Sequence, residues 1–173
     1  MDLEKRGLYI VRGAMFGAVA LVIPIVFHMF GGGMQFEPMI IVLFLAGFFV
    51  SVEVAAAISI LIPTVSALVT HMPLIWPPLF AVVMLHALVV SVPASIMYRK
   101  FRWNPYVIVP LCILLGKIPA YGGTLLLVKG LGFTGIEIFG IGAVLIGIPG
   151  NIIELLVIPP TVMMLMQRRV TVS

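Results

Sequence analysis

Charge is what this 173-residue sequence has least of. Asp, Glu, Lys and Arg together make up 9% of it, against 62% apolar residues. A soluble domain carries about a quarter charged residues. A water-facing surface cannot be assembled from this mixture, and the composition points to an integral membrane protein. Cysteine is nearly absent. The single one, Cys112, excludes an intrachain disulfide and a cysteine-based metal centre. Strand-period alternation is missing, which argues against a transmembrane barrel. No G-x-x-x-x-G-K-[ST] phosphate loop occurs, so the chain itself is not expected to hydrolyse ATP. No G-x-S-x-G elbow or catalytic dyad at a recognisable spacing occurs either, so no enzyme is expected. The net charge of +4 is no nucleic-acid footprint, because the basic residues cluster beside apolar runs rather than on a soluble face.

What the sequence has in plenty is apolar length. A bilayer core needs about 20 mostly apolar residues per helix. Hydropathy punctuated by Gly and Pro predicts six helices, near 8–30, 37–52, 54–70, 76–98, 105–128 and 138–166. The second and third are short, and almost no loop separates them near Glu53. The ends of both must therefore lie near the interfaces or be covered by protein. The sixth carries Pro149, Pro159 and Pro160, which predict a kink or break. Lys5, Arg6 and Arg12 before an apolar run imitate a signal peptide. The Ala18-Val19-Ala20 triplet, however, lies inside that run, so a retained first helix is expected.

Charge placement tests the helix count independently. With a cytoplasmic N-terminus, the inner segments hold Lys5, Arg6, Arg12, Arg99, Lys100, Arg102, Arg168 and Arg169. The outer loops hold only Lys129. The positive-inside rule is then met with both termini cytoplasmic, which requires an even number of spans. The expectation is one all-α domain over residues 1–173, a bundle of six transmembrane helices.

This orientation sends the chemically varied segments outward. They are "FHMFGGGMQFEP" at 27–38, "THMPLIWPP" at 70–78 and "VKGLGFTGIE" at 128–137. The asymmetry suggests capture of something from outside. His28, Gln35 and Glu37 flank three glycines, which let a loop fold back over a cavity. A solvated turn would look similar. His71, Met72 and Trp76 occupy the second outer loop, where an aromatic also serves as an interface anchor.

Within the helices, Lys117 lies about twelve residues into helix 5. A lysine at that depth costs about 2.5–3.5 kcal/mol on insertion scales. Either it contacts an anionic or carbonyl group of a ligand, or it pairs with Glu154 or Glu53 and pins two helices. Tyr121 follows one turn later on the same face. His86 lies mid-way along helix 4, placed for a ligand or for a helix-to-helix hydrogen bond. Asn151 and Glu154 share a face of helix 6, Asn151 as the better ligand candidate and Glu154 as the structural one. No local metal motif joins His28, His71, His86 and the glutamates, and no metal site is expected. Helix 1 holds two small-xxx-small pairs, Gly13 with Gly17 and Ala14 with Ala18. Either lets another helix approach closely, within the bundle or from a partner.

Several stretches together carry a resemblance: "AMFGA", "FHMFGGG…EPMIIVLFLAGFF", "PTVSALVTHMP", "GKIPAYGG" and "PGNIIELLVIPPTV". Over residues 12–166 the chain resembles the substrate-binding S component of energy-coupling factor (ECF) vitamin transporters. The resemblance implies a multi-pass protein of a prokaryotic cell membrane that takes a vitamin from outside. It implies partners, namely a transmembrane coupling subunit and two cytoplasmic ATPases, which use the ATP. This chain would need no cofactor and bind no nucleic acid. Ala14 and Ala18 match the family's docking surface for the coupling subunit. Ligands of the family sit among the outer halves of helices 4 to 6, beneath the first two outer loops. His28, Gln35, Glu37, His71, Met72, Trp76, His86, Lys117, Tyr121 and Asn151 are the binding residues expected here. Folate, pantothenate, a pyridoxine-like ring and cobalamin are all compatible, with Lys117 favouring a carboxylate, phosphate or ring oxygen. Two other readings of the residues stand beside this one. One is an autonomous proton-coupled transporter using Lys117 and a glutamate; the other is an intramembrane metal enzyme using His28, Glu37 and His71.

Overall fold

The computed structural model describes residues 3–31, 36–76, 78–134 and 147–170, with backbone alone for His28 and 166–170. The described residues form six α-helices and no strand. They are α1 (Leu3–Met29), α2 (Pro38–Phe49), α3 (Val52–Thr70), α4 (Leu79–Arg99), α5 (Pro105–Leu125) and α6 (Ile148–Val170). Five are long and apolar enough to cross a membrane; α2, at 12 residues, is the exception.

The short helix is the centre of the bundle. A helix apolar on every side belongs in a protein core or in lipid, and one of 12 residues is too short to cross a bilayer core alone. Helix α2, PMIIVLFLAGFF, buries all of its residues but Ile41 and Leu45. It packs against α1, α3, α4 and α6. Its neighbours bury far less of themselves and turn broad apolar faces outward, as lipid requires. Of the two segments expected to need interface ends or protein cover, α2 has the cover, while α3, at 19 residues, is long enough to cross. Helix α2 does not reach the interfaces unaided.

Small residues let the backbones close. A Cβ built on Gly47 of α2 would stand 2.5 Å from the Ser91 carbonyl oxygen of α4, so only glycine allows that approach. Hydrogen bonds fix the same seam. Ser91 Oγ donates to the Ala87 carbonyl at 2.7 Å. With that proton committed, it accepts from Ser59 Oγ of α3 at 2.6 Å. Ser95 Oγ donates to the Val50 carbonyl at 3.1 Å, at the foot of α2.

The helix ends have identifiable causes. Ser51 caps α3 by accepting from Val54 N–H at 3.4 Å, and Asn104 caps α5 by accepting from Tyr106 N–H at 3.0 Å, with Pro105 at the first helical position. Helix α5 continues into a π-turn, Leu126–Gly130. Helix α6 runs through Pro159 and Pro160 without interruption, so these prolines do not break it. The expected start of this helix near 138 falls outside the described residues.

Two contacts sort the connections to opposite ends. Arg99 Nη1 donates to Tyr9 Oη at 2.8 Å, joining the start of α1 to the end of α4. Glu53, at the α2–α3 turn, feels the charges of Arg6 and Arg99. The basic segments therefore share one end. At the other end Trp76, after α3, meets Phe133, after α5, edge to face with centroids 4.9 Å apart. Leu79 and Leu127 pack beneath that pair. The charge-based grouping of the segments agrees with this arrangement.

Candidate functional site

The site begins with one unusual backbone. Glu37 directly precedes Pro38, and proline disfavours the right-handed helical region for the residue before it. Glu37 takes φ 44°, ψ 48°, the left-handed region, which costs a non-glycine residue about 1–2 kcal/mol. Its carbonyl accepts from the Ile40 and Ile41 N–H groups at 2.9 and 3.2 Å, but its side chain does not cap the helix. The carboxylate instead points inward, and Oε2 lies 3.6 Å from His86 Nδ1 of α4. That is a polar contact, too long for a hydrogen bond. Such strain persists only where the surroundings hold it, and it clusters at functional sites.

His86 is 7% exposed and lies about 10 Å along α4 from Leu79, at roughly 1.5 Å per residue. Gly116 of α5 makes room for it. A Cβ there would stand 2.6 Å from His86 Nε2 and 2.8 Å from Val90. The next residue is Lys117, half-buried. Its charge acts on both Glu37 and His86. Glu154 of α6, 4% exposed, interacts through space with Lys117 and Glu37. Four ionisable groups from α2, α4, α5 and α6 thus share one interior region.

Among the described residues, Lys117 and Glu154 form neither a direct ion pair nor a side-chain hydrogen bond. The sequence allowed Glu53 as a partner for Lys117. It lies exposed at the basic end beside Arg6 and Arg99 and is not that partner.

The other sequence candidates distribute as follows. Asn151 lies one turn before Glu154 on α6, half-buried. Tyr121 lies one turn beyond Lys117, 39% exposed. His71 ends α3 in the left-handed region and is exposed. The Met72 carbonyl accepts from Ser66 Oγ at 2.6 Å, while its side chain is exposed. Trp76 is 75% exposed against Phe133. These three belong to the surface of the far end, not to the interior group. The backbone of His28 belongs to the last turn of α1 rather than to a loop; its side chain, and Gln35, lie outside the described residues. Glu37, expected at the outer mouth, is half-buried with its carboxylate 3.6 Å from His86 Nδ1.

The two small-residue pairs of α1 separate. Gly13 and Gly17 are buried against α3, Gly13 on Val54 and Gly17 on Ile62, where a Cβ would stand 2.8 Å from the Ile62 side chain. They are used within the bundle and are not open to a partner. Ala14 and Ala18, each about 100° further round the helix, are exposed.

Gly116 is the site residue that pattern reading missed. Its signal was a glycine inside an apolar helix directly before the only mid-helix lysine. Among the described residues, no three His, Cys, Asp or Glu side chains gather in a way that could hold a metal ion. Comparison of this chain with protein families, with curated proteins and with solved structures finds no match.

Proposed function

We propose that the chain is the substrate-binding S component of an ECF-type vitamin transporter. The observation that carries this reading is the interior group of Glu37, His86, Lys117 and Glu154. Ionisable side chains at such depth are costly, and in membrane proteins they mark substrate or ion pathways. Here they come from four elements, and among the described residues Lys117 and Glu154 have no direct ion pair, which suits a ligand-gripping interior. The motif resemblance points the same way, and so does the exposed Ala14–Ala18 stripe, which suits a coupling subunit. In this reading the basic end faces the cytoplasm of a prokaryote. The ligand enters from the opposite end, and partner ATPases drive release. The chain itself performs no catalytic step.

Native mass spectrometry of the protein purified gently from its membrane tests the reading. A small molecule held at one per chain supports it. Protein that is folded and empty after growth on a complete vitamin supplement counts against it.

The contact between Glu37 and His86 favours one other reading, a proton-coupled carrier in which these groups relay protons. Its mark is uptake into vesicles containing this chain alone, driven by a pH gradient and independent of ATP.

A further inference from the structure

Among the described residues, one buried side-chain nitrogen or oxygen has no hydrogen-bond partner. It is Nε of Arg99, the last residue of α4, at the basic end of the bundle. The rest of that head group is held in place. Nη1 donates to Tyr9 Oη at 2.8 Å, and the guanidinium carbon lies 4.5 Å from the centre of the Tyr9 ring. A guanidinium fixed in this way keeps its planar fork ready for an acceptor with two oxygens. Without one, the covered N–H is a cost to the fold. Glu53 lies at the same end, exposed, but does not hydrogen-bond Nε.

The connection that follows, residues 100–104, is also held in shape. The Trp103 N–H donates to the Met97 carbonyl at 3.2 Å. Arg102 takes φ 57°, in the left-handed region. Lys100 Nζ lies 5.9 Å from the centre of the Phe101 ring, and the Phe101 and Trp103 rings are 6.2 Å apart. Lys100, Phe101, Arg102 and Trp103 are all exposed, as is Tyr106 at the start of α5. Tyr and Trp rings gather at the level of phospholipid headgroups, and clustered cations beside a membrane helix attract anionic lipids.

We infer that Arg99 and the 100–104 connection form a site for the phosphate of an anionic phospholipid. The Arg99 fork takes phosphate oxygens. Lys100 and Arg102 select a headgroup of net negative charge over a zwitterionic one. The exposed rings of Trp103 and Tyr106 pack against the upper acyl chains, which an acidic protein segment would not supply. Arg99 as a whole is half-buried, and a small shift of its long side chain brings Nε to the entering oxygen. The assignment needs only that the chain lies in a membrane, so it stands or falls apart from the transport reading.

Native mass spectrometry from mixed micelles of phosphatidylglycerol and phosphatidylcholine tests it, together with thermal unfolding in each lipid alone. One phosphatidylglycerol per chain should be retained in severalfold preference, with a midpoint several degrees higher than in phosphatidylcholine. Arg99→Lys keeps the charge but loses the fork, and should abolish the preference. Because Arg99 also ties α4 to α1, the folding of this variant is checked by its midpoint in phosphatidylcholine. The double variant Lys100→Gln with Arg102→Gln changes exposed positions only and should cut the preference severalfold, whether or not Arg99→Lys folds. Equal retention of the two lipids overturns the inference, as does a preference unchanged in a folded Arg99→Lys protein or in the double variant. Equal stabilisation in phosphatidylcholine by millimolar inorganic phosphate would assign the fork to a free anion, and by a polyglutamate peptide to an acidic protein segment. Either result overturns the lipid site.

Discussion

One glycine and one lysine set the terms at the scale of single residues. Lys117→Ala should weaken binding of the co-purified ligand at least tenfold, about 1.4 kcal/mol or more, without loss of folding. Titration calorimetry checks this, and an unchanged affinity removes Lys117 from the site. Gly116→Ala acts differently. The added methyl group would sit 2.6 Å from His86 Nε2, and overpacking of that kind costs roughly 1–3 kcal/mol. The same methyl group would stand 2.8 Å from Val90, so two side chains would have to yield together. The variant should lower thermal stability and also shift the His86 ring resonances in NMR spectra of labelled protein. Lowered stability with an undisturbed imidazole would mean that Val90, not His86, absorbs the clash. Lys117 was visible in the sequence because a charge in hydrocarbon needs a reason. Gly116 was not, because a glycine's role lies in what comes near it.

Helix α2 governs the next scale. Its apolar residues have no helical periodicity to follow, since every face is covered. That is why the sequence predicted the helix but not its central place. The close approach of α2 to α4 rests on Gly47. A Cβ there meets backbone, the Ser91 carbonyl at 2.5 Å, and no side-chain rotation relieves it. Gly47→Ala should therefore force the helices apart and disturb the Ser59–Ser91 and Ser95–Val50 hydrogen bonds. We expect a loss of about 1–3 kcal/mol, read as a lower unfolding midpoint in detergent. A midpoint unchanged from wild type would show that this seam tolerates separation. Helix α1 makes the complementary point. Its glycine stripe faces α3 and its alanine stripe faces outward, two registers that spacing alone could not assign.

Sidedness and assembly belong to the whole molecule. In a Cys112→Ser background, Lys100→Cys should react with an impermeant maleimide only from the cytoplasmic face of oriented vesicles. Trp76→Cys should react only from the opposite face. Labelling of both from one side would contradict the pairing of Tyr9 with Arg99 and of Trp76 with Phe133 at opposite ends. Replacing Ala14 or Ala18 with tryptophan should leave ligand binding intact and abolish uptake in vesicles that contain the full transporter. Both residues are exposed, so the bundle has no reason to lose stability. Uptake that survives the change would sink the docking role.

The sequence by itself determined the solvent, the number of helices and the grouping of their ends, because each follows from composition and order along the chain. Hydrocarbon admits a polar backbone only as helix, and basic flanks sort to one side. It also exposed Lys117, His86 and Glu154 as residues out of place. Only the tertiary structure decided that Glu37 turns towards His86, that Glu53 stays away from Lys117, and that Glu154 is buried on α6. Those outcomes depend on which faces of separate helices meet. Hydropathy is blind to that, because lipid and protein interior are equally apolar to a helix surface. The choice between them rests on small residues such as Gly47, Gly116, Gly13 and Gly17, whose effect exists only once a second helix lies against them.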